Sequence, residues 1–205
     1  MSEATQKPGT GSPGAGSPVT GSLAWPFTPQ EGLAEARRRI EVEADAKSGT
    51  LDIGGLQLNE EMLGELAPAI ARLDWLEALY LGAGEDARKK PLFERSMFDK
   101  KLCNAARALP GALVDAASPR LTLLDLDGLG LGHLPERIAA LTGLTSLNLR
   151  DNRIDADGAR ALAALTGLTS FDLGGNSDIN LSALCALQKL QSIQLDGYKI
   201  SDPCP

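Results

Sequence analysis

The chain has 205 residues, enough for one domain of ordinary size with tails. Twenty Lys and Arg against 27 Asp and Glu give a net charge of −7, which argues against unassisted binding to a phosphate backbone, where affinity rests on a surplus of cations. No apolar run approaches the ~20 residues needed to cross a bilayer, and Cys103, Cys185 and Cys204, odd in number and without metal-ligand spacing, fit a reducing compartment.

Residues 1–24 are rich in Gly, Ser, Pro and Thr. They hold too little bulky apolar surface to offset ordering entropy, so a disordered leader is expected. It lacks the apolar middle of a secretory signal and serves either as a linker or as an address read in extended form. Residues 25–47 follow as a capping helix. Thr28-Pro29-Gln30-Glu31 supplies a cap, a first-turn proline and a capping-box glutamate. Leu33, Ala36 and Ile40 share one side, while Arg37, Arg38, Arg39, Glu41 and Glu43 populate the solvated remainder. Trp25 or Phe27 is the expected apolar anchor.

From residue 48 to residue 205 the chain reads as one repeat domain. Leu51, Ile53, Leu56 and Leu58, then Leu76, Leu79 and Leu81, carry an apolar register in weaker form. Between them Asn59 caps a helix that presents Met62, Leu66, Ile70 and Leu73 inward, with Pro68 expected to break or tilt it. The period is then lost. Residues 83–120 hold either a degenerate repeat or an insertion, and the amphipathic spacing of Phe98, Leu102, Ala105 and Leu109 favours the insertion. Basic residues there stand beside acids, so no nucleic-acid patch is supported.

The register returns in full strength at Leu121, Leu124, Leu126; Leu144, Leu147, Leu149; Leu168, Phe171, Leu173; and Leu190, Ile193, Leu195. Recurrence every 22 to 24 residues is the signature of a stacked solenoid with a concave face. After Ile200 no evident cap closes the final coil.

The segments LTLLDLDGLGLGHLPERIAALTG and LTSLNLRDNRIDADGARALAALTG resemble leucine-rich repeats of bacterial type, with pattern LxxLxLxx(N or C)xL. The first return arm is similar to the short form of Roco-like proteins, the second to the longer helical form of ribonuclease-inhibitor-type repeats. The resemblance implies an α/β fold: a curved parallel sheet on the concave side, with helices or 3₁₀ turns on the convex side. It also implies that Asn152 and Asn176 hold the turn by amide bonds to backbone, whereas Leu56, Gly84, Leu129 and Tyr198 depart from the pattern.

Read through that pattern, the concave face carries Asp52, Tyr80, Asp125, Asp127, Asn148, Arg150, Asp151, Asp172, Gln194 and Asp196. Such an acidic face would steer a basic protein segment, with Tyr80 as anchor, or would merely keep the sheet soluble. Chemistry finds little support. GAGED lacks the ending and spacing of a phosphate loop. His133 has no nucleophile in a family-like context. Cys103 beside Lys100 and Lys101 is the nearest thing to an activated thiol. Asp125, Asp127 and Asp151 offer too few oxygens for a hard cation.

The expectation is therefore a non-enzymatic, cytoplasmic protein-interaction module without cofactor or metal, binding neither nucleic acid nor membrane. The alternatives are a regulatory segment of a Roco-like GTPase and an effector secreted into host cells.

Overall fold

In each LxL triplet the middle residue and its flanking leucines point to opposite faces of a strand. A single triplet cannot bury its leucines alone, so the coils stack. The computed structural model describes residues 28–89, 104–154, 161–176, 192–195 and 198–200. The expected leader, Trp25, Phe27, Cys103, Cys185 and Asp196 lie outside the described residues.

Helix α1 (Pro29–Ala46) begins at Thr28 with the full capping box. Strand β1 (Thr50–Asp52) follows, then helix α2 (Glu60–Ile70), β2 (Ala78–Tyr80), α3 (Glu85–Arg88), α4 (Gly111–Asp115) and β3 (Leu123–Asp125). A 3₁₀ turn (Glu136–Ala140) leads to β4 (Ser146–Asn148), β5 (Ser170–Asp172), β6 (Ser192–Leu195) and β7 (Tyr198–Ile200). The seven strands form one sheet in chain order. β1 to β6 are parallel. β7 turns back antiparallel on β6, so a hairpin covers the edge for which the sequence showed no cap.

Register is strict. Leu51, Leu79, Leu124, Leu147, Phe171 and Ile193 pair in one line across the sheet. All six are at most 3% exposed, which makes this internal column the spine of the core. A second ladder runs along the strand entrances: Thr122 Oγ1 donates to the Glu77 carbonyl, Thr145 Oγ1 to that of Thr122, and Thr169 Oγ1 to that of Thr145, at 3.1 to 3.2 Å.

α1 packs on β1 and α2 with Ala36 and Ile40 fully buried. Gly32 lies so close to coil one that a Cβ there would meet the Leu56 carbonyl oxygen at 1.8 Å. Glu43, expected on the solvated side, is instead buried. It accepts from Ser48 Oγ, the Gly49 N–H and Trp75 Nε1, locking the helix to the first two coils. In α2 Leu66 and Ile70 face the core as expected, joined by Leu63 three residues before Leu66, while Met62 is only partly buried at the edge of that face. Pro68 does not break α2. It sits exposed near the last turn, and the Ala71 N–H still reaches the Ala67 carbonyl.

β2 pairs directly with β3, so a single coil spans the stretch where the period disappears. The sequence position of its turn residue is Gly84, but its place in space belongs to Asn104. Asn104 Oδ1 accepts from the Leu58 N–H at 2.8 Å, and Nδ2 donates to the carbonyls of Ile53 and Leu81 at 2.9 and 2.5 Å. Asn152 makes the same set with the Leu131 N–H and the carbonyls of Leu126 and Leu149. Asn176 repeats it with Ile154, Leu149 and Leu173. Each amide joins its own coil to the preceding one, satisfying backbone groups that an apolar interior would otherwise strand.

Candidate functional site

The strands leave two columns of side chains on the concave face. One holds Thr50, Ala78, Leu123, Ser146 and Ser170; the other holds Asp52, Tyr80, Asp125, Asn148 and Asp172. Sequence reasoning named the second column and passed over the first, since it looked for charge. Leu123 and Ser146 are half-buried and Ser170 is exposed. Together with Tyr80, Asn148 and Asp172 they line a shallow depression of about 410 Å³.

The acidic column is less free than its composition implies. Asp52, Asp125, Asn148 and Asp172 each accept, through Oδ1, the N–H two residues on, at 2.9 to 3.1 Å. This Asx turn carries the chain out of the strand, which explains why Asp and Asn recur at the position. The second oxygen is also engaged. Asp52 pairs with Arg88, Asp125 accepts from Asn148 Nδ2 at 2.9 Å, and Asp172 accepts from Arg150 Nη1 at 3.2 Å. Arg88, which sequence reasoning did not place here, also lies with its guanidinium 4.2 Å from the Tyr80 ring centroid. A basic residue eight positions past a repeat strand would have been the only signal for it.

Asp125 is 5% exposed, and burial pushes its carboxyl above the ordinary aspartate value. The Asn148 amide, the Asp127 N–H and the charge of Arg88 act in the opposite sense without cancelling that effect. Burial disfavours the Arg88 cation, yet Asp52 holds its pKa above the usual arginine value.

Two expected face residues are corrected by the geometry. Asp127 is fully buried beneath the surface, because its backbone packs on Gly82, where a Cβ would come within 2.1 Å of the Asp127 carbonyl oxygen. Asp151 adopts φ 51°, at the coil position where Gly55, Gly128 and Gly175 have φ of 72° to 73°. Its placement serves the left-handed turn that Asp tolerates better than most residues. Arg150 is buried, and its Nε makes no hydrogen bond. The backbone of Gln194 continues the column in β6, paired with Asp172.

His133 is exposed in a bridge to Ala108. Among the described residues no group of three or more His, Cys, Asp or Glu is disposed to hold a metal ion. Among them, too, no helix is long and apolar enough to cross a membrane.

Stacked parallel strands, an aligned leucine column and amide-bonded turns define a solenoid of leucine-rich-repeat architecture. The family model described as leucine rich repeat matches residues 119–177 and, one coil later, 142–200. Residues 119–200 of the chain carry leucine-rich repeats. Among solved structures it is similar to an internalin (inlF) from Listeria monocytogenes at 18% identity and a TM-score of 0.41, covering 61% of this chain. It spans only 36% of that chain's length. It is also similar to an internalin C2 (inlC2) from the same organism at 20% identity and a TM-score of 0.31, covering 80% of this chain and 92% of that one. No curated protein matches the sequence.

Proposed function

We propose that the protein is a noncovalent protein-interaction module that takes a partner segment on the concave face, over β2 to β5. The observation that carries this reading is the open depression lined by Tyr80, Leu123, Ser146 and Ser170. Its floor is fixed by strand pairing and Asx turns, so little ordering entropy opposes association. Leu123 and Tyr80 supply apolar and aromatic contact area of the kind that dominates interface energy. The net charge of −7 favours approach by a basic partner. The acids of the face contribute to that field rather than as free hydrogen-bonding groups, since each oxygen described above has a partner inside the protein.

A photo-crosslinking residue placed at Ser146 or Ser170, beside one at exposed Glu61 on α2, tests the reading. The concave positions are expected to trap a discrete protein species that the Glu61 position does not. Ser146→Lys with the crosslinker at position 170, and Ser170→Lys with it at position 146, should each release that species. Identical crosslinked products from both sides of the solenoid would remove the concave face from consideration.

A further inference from the structure

Asp52 and Tyr80 end neighbouring strands and stand side by side in the sheet register. Both are positioned by the repeat itself. Asp52 closes its turn on the Gly54 N–H at 2.9 Å, and Tyr80 flanks the depression whose other walls are β3 to β5. The cation between them has a different origin. Arg88 ends α3, within the stretch that separates β2 from its turn residue Asn104 and that has no counterpart between β4 and Asn152 or between β5 and Asn176.

Arg88 Nη2 donates to Asp52 Oδ2 at 2.5 Å, and Nη1 donates to the Ala83 carbonyl at 2.5 Å. A longer contact of 3.4 Å joins Nη1 to Asp52 Oδ1. The guanidinium carbon lies over the Tyr80 ring, 4.2 Å from its centroid. The side chains of Arg88 and Asp52 are only 15% and 25% exposed, so this pair is shielded more than an ordinary surface ion pair. A forked donor on a carboxylate combined with stacking on an aromatic face suits arginine, whereas an ammonium offers neither fork nor plane.

We propose that Asp52 and Tyr80 form a guanidinium-binding site at the β1–β2 end of the concave face, that Arg88 fills it in cis, and that a basic partner engages the face by placing an arginine of its own there. This deepens the concave-face reading and rests on it. Arg88 then acts as a tethered competitor, since a site populated by its own occupant binds a free ligand only in the fraction of molecules where it stands open.

The test uses the full chain and two probes, acetyl-Gly-Arg-Gly-amide and acetyl-Gly-Lys-Gly-amide, titrated by NMR on the Tyr80 ring and Asp52 carboxyl signals. Arg88→Ala is expected to bind the arginine peptide saturably, at least about ten-fold more tightly than wild type. It should bind the lysine peptide at least about ten-fold more weakly than the arginine one, and Asp52→Asn in the same background should abolish the difference. Folded Arg88→Ala that binds the arginine peptide no better than wild type overturns the proposal, as does binding unchanged by Asp52→Asn. Should Arg88→Ala fail to fold, Arg88→Lys carries the same criterion, since it keeps a cation near Tyr80 and loses the fork. The crosslinking positions Ser146 and Ser170 involve neither Asp52 nor Arg88, so concave crosslinks without an arginine preference sink this site alone. An arginine site without concave crosslinks sinks the broader reading.

Discussion

Replacing Asn104 by alanine removes the amide that joins the first two coils where the repeat spacing is broken. Asn104 is fully buried, so water cannot take over its role. The Leu58 N–H loses its acceptor, and the Ile53 and Leu81 carbonyls each lose a donor. A stranded buried N–H costs about 1–3 kcal/mol. The under-satisfied carbonyls and the space left by the amide bring the whole to about 3–5 kcal/mol. That is a large share of the ~5–15 kcal/mol that holds a typical domain together. With a urea slope of about 2 kcal/mol/M, the midpoint measured by far-UV circular dichroism should fall by about 1.5–2.5 M. Asn176→Ala provides the internal comparison. It deletes an equivalent set of bonds at a partly buried site, where water can replace some of them, and should cost less. A change of under about 0.5 kcal/mol for Asn104→Ala, the range of an ordinary surface substitution, would refute the assignment of Asn104 as the turn residue of this coil. A larger loss at Asn176 would refute it equally.

Gly82→Ala places a Cβ 2.1 Å from the Asp127 carbonyl oxygen, so coil two must move away from coil three. A loss of about 1–3 kcal/mol is expected in thermal melts. Gly132→Ala, with nothing within 4 Å, should stay near wild type. Phe171→Ala should cost about 3–5 kcal/mol by opening the internal column, and Phe171→Leu, which matches its register neighbour Leu147, under about 1.5. Hydrogen bonds from Arg38, opposed by burial and aided by Arg39, hold the Glu35 carboxyl at about 2 against 4.5. Its stabilising effect is complete above 4.5 and lost as pH falls toward 2, so Glu35→Gln should flatten the acid limb of a stability–pH curve. Asp125 has the opposite sign. Its raised pKa favours the protonated native state, and that contribution is lost as pH rises through the native value. Carbon-13 titration should place its midpoint above 3.8, and Asn148→Ala, which deletes a bond to the carboxylate, should move it higher still. A midpoint that falls in Asn148→Ala would contradict the described hydrogen bond.

Leucine spacing alone determined the solenoid, because a period of 22 to 24 residues with an LxL core admits one way of burying all its leucines together. The same logic located α1 and α2, whose caps are local interactions between residues three apart. Short-range rules end where the partners are distant in the chain. Nothing near Asn104 in sequence announces that it closes a coil begun at Ala78, because its partners Leu58, Ile53 and Leu81 lie 46, 51 and 23 residues away. Glu43 was read as solvated because the helical pattern ranks side chains by polarity, yet Ser48, Gly49 and Trp75 bring it three donors. The concave column was legible as a set of positions but not as a surface. Whether Asp52 or Asp125 offers a free charge depends on Arg88 and Asn148, which only the stacking of coils brings within hydrogen-bond reach. Composition counts charges. Tertiary structure decides which of them are already spent, because desolvation and pairing are properties of neighbours in space.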